Sequence, residues 1–239
     1  MKERLDKILA DKNLVASRSQ AKSMIENGDI KVNGKVAKKA GELVDLDAQI
    51  EVTSSLYVGR GALKLEEALK KFTVSVQGKT YLDLGASTGG FTEVLLNHGA
   101  SRVYAIDVGH DQLAKKLCED SRVINMEGTN IRNLDSLPEL ADGAVMDLSF
   151  ISITKVLENV KKLLKPSADF LVLIKPQFEA GLERLPKDNV IKDTILQNQI
   201  LDEVVTFAKE NGWLHHGSID SPIEGKSGNK EFLAHFTKI

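Results

Sequence analysis

The sequence predicts an α/β protein in which a mostly parallel sheet of seven strands follows a small α+β domain. From residue 58 onward, strand-like apolar segments alternate with helical ones, a pattern typical of a mostly parallel sheet covered by helices on both faces. The first 57 residues instead suggest two short helices and a small sheet. A chain of 239 residues accommodates one medium domain and one small one. We therefore expect domains at residues 1–57 and 58–239.

Composition narrows the class of protein. The chain is 42% hydrophobic and 28% charged, an ordinary globular balance. A single cysteine, Cys118, excludes a disulfide framework and a paired-cysteine metal site, and we expect no metal. The longest apolar run, residues 170–174, is far shorter than the roughly 20 residues of a membrane span. The N-terminus lacks a signal-peptide core. These features predict a cytoplasmic protein without a membrane partner.

Charge is distributed unevenly along the chain. Residues 1–39 contain ten lysines and arginines against five acidic residues, whereas the remainder contains 22 basic and 29 acidic residues. A basic head on an acidic body is expected where one part of a protein binds a polyanion. A solvated, lysine-rich surface without a ligand is the alternative.

The basic head combines two amphipathic helices with a hairpin. Apolar residues recur at helical spacing in residues 5–9 and 21–25. An Asn33-Gly34 turn between alternating apolar residues then predicts a hairpin, and residues 43–52 supply further strands. This arrangement resembles the S4-type RNA-binding domain. The matching residues are Arg4-Leu-Asp6, Ser17-Arg18, Ala21, Ile25, Gly28 and Ile30-Lys-Val-Asn-Gly34.

The S4 resemblance implies that the second helix and the hairpin face RNA. No aromatic residue precedes Tyr57, so recognition by shape and backbone fits better than base stacking. An inert module is the alternative. The residues expected to contact RNA are Arg4, Arg18, Lys22, Lys31, Lys35 and Arg60.

The body is predicted to alternate strands with helices throughout. The expected strands are Tyr81–Gly85, Arg102–Val108, Arg122–Met126, Ala144–Leu148, Phe170–Ile174, Leu214–Ile219 and Glu231–Phe236. The expected helices cover residues 62–72, 90–98, 110–118, 153–164 and 194–210. Residues 176–193 read as a polar loop, either a mobile one over a ligand or an ordinary surface loop.

A glycine turn follows the first of these strands. Its spacing from Gly85 is G-x-x-x-G-G, which does not meet the dinucleotide fingerprint and argues against NAD or FAD. Asp83 precedes the turn, and Asp107 closes the second strand, where a carboxylate binds ribose hydroxyls. Two acids around one glycine turn resemble Rossmann-like S-adenosylmethionine enzymes. The cofactor residues expected from this are Asp83, Gly85, Ser87, Gly89 and Asp107.

Four charged residues stand at predicted strand mouths or next to them. Asp147 and Lys175 close the fourth and fifth strands, Lys64 lies on the helix that leads into the sheet, and Glu231 opens the last strand. A lysine that closes an apolar strand is costly to bury alone, so acidic partners are expected. Taken singly, each is explained equally well as a surface or capping charge.

Five motifs in order resemble the TlyA family, whose members are named haemolysin A or ribosomal RNA 2′-O-methyltransferase. Members of this family carry an S4 domain before an FtsJ-like methyltransferase, a Rossmann-like class I fold. The resemblance covers nearly the whole chain. The motifs are Arg60-Gly-Ala-Leu-Lys64-Leu, Asp83-Leu-Gly-Ala-Ser-Thr-Gly-Gly-Phe91, Asp147-Leu-Ser-Phe-Ile-Ser152, Lys175-Pro-Gln-Phe-Glu179 and Gly228-Asn-Lys-Glu-Phe232.

The resemblance implies S-adenosylmethionine-dependent methylation of a ribose 2′-hydroxyl, with cytidine of ribosomal RNA in a ribosomal subunit as substrate. Lys64, Asp147, Lys175 and Glu231 then form the catalytic tetrad, in which Lys175 orients or deprotonates the hydroxyl. The family places an adenine contact near Asn130. No obligate protein partner is expected. The alternatives are a non-catalytic RNA-binding protein on a methyltransferase scaffold and a membrane-lytic protein.

Overall fold

The computed structural model describes residues 2–12, 14–15, 18–52, 57–225 and 227–239, with the backbone alone at positions 19, 20, 23 and 27. Ser17 of the S4-like motif lies outside the described residues. The chain forms two compact units, Met1–Arg60 and Gly61–Ile239. A domain boundary after residue 57 stays a prediction.

The described residues of the first unit form two helices and five short strands. They are β1 (Lys2–Arg4), α1 (Leu5–Asp11), α2 (Arg18–Asn27), β2 (Ile30–Val32), β3 (Lys35–Val36), β4 (Leu43–Asp45) and β5 (Ile50–Val52).

Antiparallel pairing organises these strands into two small sheets. Strand β2 lies between β3 and β5, and β1 pairs with β4. Asn33 and Gly34 join β2 to β3 with φ values of 49° and 78°, which is the conformation of the predicted hairpin turn. The apolar faces of both helices meet the sheet in a core that includes Leu5, Ile8, Leu9, Ala21, Ile25, Ile30 and Val44.

The second unit alternates strands and helices as predicted. Its elements are α3 (Ala62–Phe72), β6 (Thr80–Leu84), α4 (Gly90–Asn97), β7 (Arg102–Asp107), α5 (Lys115–Cys118), β8 (Val123–Glu127), β9 (Ala141–Met146), α6 (Leu157–Leu163), β10 (Leu164–Ile174), α7 (Pro176–Glu179), α8 (Thr194–Glu210), β11 (Trp213–Asp220) and β12 (Phe232–Lys238).

Seven strands form one sheet in the order β11-β12-β10-β9-β6-β7-β8. The pairs from β8 to β10 are parallel, and β12 runs antiparallel to both of its neighbours. The predicted α/β class with a mostly parallel seven-stranded sheet is thus confirmed. The chain moves outward on one side of β6 and then returns to pair β9 on the other side. Ligands of such sheets bind at this switch point, beyond the carboxyl ends of the strands.

The helix predicted over residues 110–118 is wrong in its first half. Within this range only α5 is helical, because the side chain of Glu127, at the end of β8, binds the backbone of the residues that precede α5. One carboxylate oxygen, Oε1, accepts the backbone N–H groups of Gln112 at 2.6 Å and Leu113 at 2.9 Å. Asp111 adopts a left-handed φ of 54°. Long-range side-chain hydrogen bonds of this kind leave no periodic signal in the sequence.

The segment 176–193 is anchored at both ends. It begins with α7, and Ala180 and Ile191 are buried against Ile200 of α8. The side chain of Asn229 holds its far end, because Oδ1 accepts the Ile191 N–H at 3.0 Å and Nδ2 donates to the Asn189 carbonyl at 2.9 Å. In the described parts of the chain, none of the helices has the length and apolarity that crossing a bilayer demands.

Candidate active site

The glycine turn after β6 lies against the end of β9. Gly85 has a φ of +89°, and a Cβ atom there would lie 2.7 Å from the carbonyl oxygen of Asp147. The Asp147 N–H in turn donates to the Leu84 carbonyl at 3.0 Å. Only glycine combines this φ with so close an approach of two backbones. The glycine turn and Asp147, the residue that follows β9, are therefore in direct contact.

Asp83 lies fully buried beneath the turn. Its Oδ2 accepts the Thr92 hydroxyl at 2.6 Å, whereas Oδ1 has no hydrogen-bond partner among the described residues. Burial raises the pKa of Asp83 to about 7, although the hydrogen bonds from Thr92 oppose the rise. A buried carboxyl with one unpartnered oxygen retains an unused capacity for hydrogen bonding.

Asp107 connects the turn to the end of β7. One carboxylate oxygen accepts the Ser87 N–H at 2.8 Å and the other accepts the Gly109 N–H at 2.7 Å. Each oxygen has two lone pairs, so acceptor capacity remains for ribose hydroxyls. The contact also explains how Ser87 is held at a left-handed φ of 49°. The structure thus brings Asp83, Ser87 and Asp107 together around the glycine turn that contains Gly85 and Gly89.

Asn130 has a local role in the structure. Its side-chain oxygen caps the short 3-10 turn Ile131–Asn133 by accepting the Arg132 N–H at 3.1 Å. The predicted adenine contact of Asn130 stays a prediction. His110, which the sequence analysis passed over, packs over neighbouring Gly128: a Cβ at Gly128 would lie 2.5 Å from the ring.

The four charged residues of the predicted tetrad meet in one chain of contacts. Lys64 projects from α3, and its Nζ lies 2.6 Å from Oε2 of Glu231 and 3.6 Å from Oδ2 of Asp147. The other oxygen of Asp147, Oδ1, lies 2.5 Å from Nζ of Lys175, directly after β10. Residues far apart in sequence are therefore joined in the order Glu231, Lys64, Asp147, Lys175.

Formal charges alternate along this chain of contacts. Lys64 and Lys175 are 6% and 7% exposed and Glu231 is 3% exposed, so the ions are largely removed from water. Burial opposes ionisation of Asp147, yet the two ammonium groups outweigh it and hold its pKa below the ordinary value. A buried charge is tolerated only with such partners. Asp147, which contacts both lysines, is the central member.

Ser149 completes the surroundings of Lys175. The lysine Nζ donates to the Ser149 hydroxyl oxygen at 3.0 Å. An ammonium group has three N–H donors; Ser149 accepts one of them, and Asp147 pairs with the same group as its counter-ion. Donor capacity is left for a further acceptor. The sequence analysis did not single out Ser149, although its position two residues after Asp147 was the available signal.

An exposed aromatic pair lies beside Lys175. Phe150 is 90% exposed and has a left-handed φ of 64°. Its ring centroid is 5.2 Å from that of Phe178, which in turn lies 5.7 Å from Nζ of Lys175. A strained, outward-facing phenylalanine is uncommon in a protein surface and marks a candidate contact for a planar ligand. Sequence reasoning missed this residue as well.

In the small unit, two of the predicted RNA-binding residues share one carboxylate. Asp6 is nearly buried and accepts from Arg4 at 3.0 Å through both oxygens and from Arg18 at 3.0 Å. The hydrogen bond from Arg4, with help from Arg18, lowers the pKa of Asp6 to about 2. The arginine side chains stay 49% and 54% exposed. The structure thus presents a fixed pair of guanidinium groups.

The remaining predicted RNA contacts are distributed over the small unit. Lys31 and Lys35 lie on the paired strands β2 and β3 of the hairpin. Lys22 on α2 lies 3.9 Å from Glu26, a weak exposed pair. Arg60 ends the unit and interacts electrostatically with Asp29. The structure groups Arg4 with Arg18, whereas Lys31 pairs with Val36 and Lys35 with Val32, so the two lysines project from opposite faces of the hairpin.

A parallel sheet with the strand order found here, a glycine turn at its switch point and an acidic residue after the next strand define a class I methyltransferase fold. Family models match both parts of the chain. The FtsJ-like methyltransferase model matches residues 57–238, and the S4 domain model matches residues 3–50. The chain therefore belongs to the FtsJ-like methyltransferase family and carries an S4 domain.

Known proteins resemble the chain over its whole length. A Mycobacterium tuberculosis protein named 16S/23S rRNA (cytidine-2′-O)-methyltransferase TlyA is 42% identical, over 96% of this chain and 88% of its own. Hemolysin A of Brachyspira hyodysenteriae is 43% identical, over 98% of this chain and 99% of its own. A solved structure of a Streptococcus thermophilus protein, provisionally named a hemolysin, has a TM-score of 0.79 at 39% identity, covering 99% of this chain and 88% of that one. The resemblance to the TlyA family is confirmed.

Replacing Gly85 by alanine is expected to disturb both the glycine turn and the backbone of Asp147. Strain at a positive φ costs on the order of 1–3 kcal/mol, and the added Cβ must also push the Asp147 backbone away. Gly78→Ala is the matched control, because Gly78 has a φ of +70° with nothing within 4 Å of the added atom. We expect urea denaturation to show a larger loss for Gly85→Ala, and titration calorimetry to show weakened S-adenosylmethionine binding in that variant alone. Equal losses in both variants would contradict the close-approach argument.

The Asp6 cluster predicts acid sensitivity of the small unit. Because the pKa of Asp6 is lowered to about 2 in the folded state, its stabilising effect is present above the unfolded value, near 4, and disappears as the pH falls towards 2. We expect the free energy of unfolding to fall over this window. The Asp6→Asn variant should be less stable near neutral pH and should show a shallower fall. Parallel pH profiles of the two proteins would refute the assignment.

Proposed function

We propose that the protein transfers a methyl group from S-adenosylmethionine to a ribose 2′-hydroxyl of ribosomal RNA, with cytidine as the target nucleoside. The observation that carries the proposal is the buried chain Glu231, Lys64, Asp147, Lys175 next to the glycine turn. The name of the Mycobacterium tuberculosis relative supports the substrate.

The residues around the glycine turn fit this cofactor. Positive φ values at Gly85 and Gly89 shape the turn, and glycine is required at both because Asp147 and Leu117 fill the space that their Cβ atoms would take. Asp107 has acceptor capacity for ribose hydroxyls, and Asp83 has one unpartnered oxygen for a donor near the turn. When bound, the cofactor supplies an electrophilic methyl group on a sulfonium.

Lys175 orients the hydroxyl that accepts the methyl group. A further N–H of its ammonium group donates to the 2′-oxygen, while the ion pair with Asp147 and the hydrogen bond to Ser149 hold that group in place. Lys64 holds Asp147 in place and is itself held by Glu231. The 2′-oxygen would take the methyl group from the bound sulfonium, which would leave as a neutral thioether, and the hydroxyl proton would depart to solvent. Precise orientation of this kind accounts for a large part of catalysis.

RNA recognition is divided between two kinds of contact. The Arg4–Arg18 pair and the hairpin lysines Lys31 and Lys35 contact phosphates, so binding weakens as salt rises. Phe150 offers its exposed ring to the base of the nucleotide that is taken out of the stack for methylation. A ribosomal substrate implies that the protein acts in the cytoplasm.

Labelled methyl transfer to ribosomal subunits that lack the modification tests the proposal. Wild-type protein should label subunit RNA at one ribose, and alkaline hydrolysis should stop there because a 2′-O-methyl group blocks it. Lys175→Ala should reduce transfer at least about 100-fold, since a misplaced reactant can cost that much. Lys192→Ala is the matched control, because that lysine is 79% exposed.

The outcomes separate the candidate functions. Label that persists unchanged in Lys175→Ala would refute the role of the tetrad. If wild-type protein binds the cofactor and RNA but labels no subunit, the ribosomal substrate is wrong. Binding of RNA without binding of the cofactor would favour a non-catalytic RNA-binding protein, and leakage of liposomes by the pure protein would favour the lytic alternative.

A further inference from the structure

Glu179 is an acidic residue that the proposed chemistry does not use. It ends the short helix α7, four residues after Lys175, and it is partly buried. Burial raises its pKa, and hydrogen bonds from Ser152 and Ile153 oppose the rise. Among the described residues, no lysine or arginine forms an ion pair with it. Its contacts are instead with the loop that follows β9.

Both oxygens of Glu179 bind that loop. Oε2 accepts the Ser152 hydroxyl at 2.5 Å, and Oε1 accepts the backbone N–H of Ile153 at 3.0 Å. Ser152 also caps the 3-10 turn Ile153–Lys155, because its oxygen accepts the Thr154 N–H at 3.2 Å. One carboxylate therefore fixes both the start of this turn and the residue before it.

The bound loop contains the groups that surround Lys175. Residues 147–152 supply Asp147, Ser149 and the exposed ring of Phe150, whereas Lys175 precedes α7 on the other side. The first turn of α7 is formed by a hydrogen bond from the Phe178 N–H to the Lys175 carbonyl at 2.8 Å. Glu179 is thus connected to Lys175 through one tight turn of backbone and to Ser152 through its side chain.

We propose that Glu179 is a positioning residue that holds the loop 147–153 in register with Lys175. Glu179 contacts the loop, whereas other residues contact the ammonium group of Lys175 and form the glycine turn. Without Glu179, Ser149 and Phe150 lose their fixed distance from Lys175, so the 2′-hydroxyl is oriented less well while the cofactor still binds. This inference rests on the proposed function for its effect on rate, but its structural core concerns the loop alone.

Three variants and one control test the proposal. Glu179→Ala removes both acceptors, and Ser152→Ala removes one donor from the other side. Glu179→Gln keeps the length and can still bind Ile153 through its amide oxygen, so it should rescue most of the activity. Glu183→Ala is the control, an exposed glutamate in the same segment. The variants are compared in single-turnover methyl transfer, cofactor binding, thermal unfolding and amide hydrogen exchange.

We expect Glu179→Ala to lower the single-turnover rate about tenfold or more, within the range that misplacement of a reactant produces. Cofactor affinity should stay within about twofold, a separation that a general loss of folding would not give. Ser152→Ala should lower the rate in the same direction, and the loss in the double variant should be smaller than the product of the two single losses, since the variants share one contact. Exchange of the Ile153 amide should accelerate in Glu179→Ala and not in Glu183→Ala.

Hydrogen exchange keeps this inference separate from the proposed function. If wild-type protein methylates RNA and Glu179→Ala does so at the same rate, the positioning role is wrong and the proposed function stands. If wild-type protein is inactive on every RNA, the proposed function fails, and exchange at Ile153 still decides whether Glu179 holds the loop. Unchanged exchange, or a rate loss matched by equal losses in cofactor affinity and thermal stability, overturns the inference.

Discussion

The contact of Asp147 with two buried lysines governs the arrangement of the active site. Removing three ions from water is expensive, and replacing such a cluster with apolar residues is often neutral or stabilising in other proteins. The cluster is therefore better explained by chemistry than by stability. Asp147 lies between Lys64, which also pairs with Glu231, and Lys175, whose Nζ it holds at 2.5 Å at the mouth of the sheet. The site has a single central charge on which the orientation of Lys175 depends.

The same residue ties the proposed catalytic tetrad to the glycine turn. Its backbone contacts Gly85 so closely that no side chain fits there, and its N–H pairs with Leu84 at the end of β6. Sheet pairing between β6 and β9 thus sets the distance between the glycine turn and the tetrad. A parallel sheet makes this possible because its carboxyl ends all open on one edge, where a ligand meets several strands at once.

Much of this arrangement could be predicted from the sequence. The alternation of apolar segments predicted the sheet, and the resemblance of five ordered motifs to the TlyA family implied the tetrad. The non-helical path of residues 110–114 could not be predicted, because the Glu127 carboxylate accepts the backbone N–H groups of Gln112 and Leu113 across the fold. Ser149, Phe150 and Glu179 were also missed as contributors. Their importance lies in distances and exposure that only the folded chain defines.

The most direct test of the central role of Asp147 is the single-turnover rate of methyl transfer in Asp147→Asn, measured beside the affinity for S-adenosylmethionine. Asparagine keeps the shape and the backbone contact with Gly85 but removes the charge between the two lysines. The account predicts a rate at least about 100-fold lower, as expected when a reacting group is misplaced, with cofactor affinity changed by less than about threefold. A variant that transfers methyl groups at the wild-type rate would contradict the account.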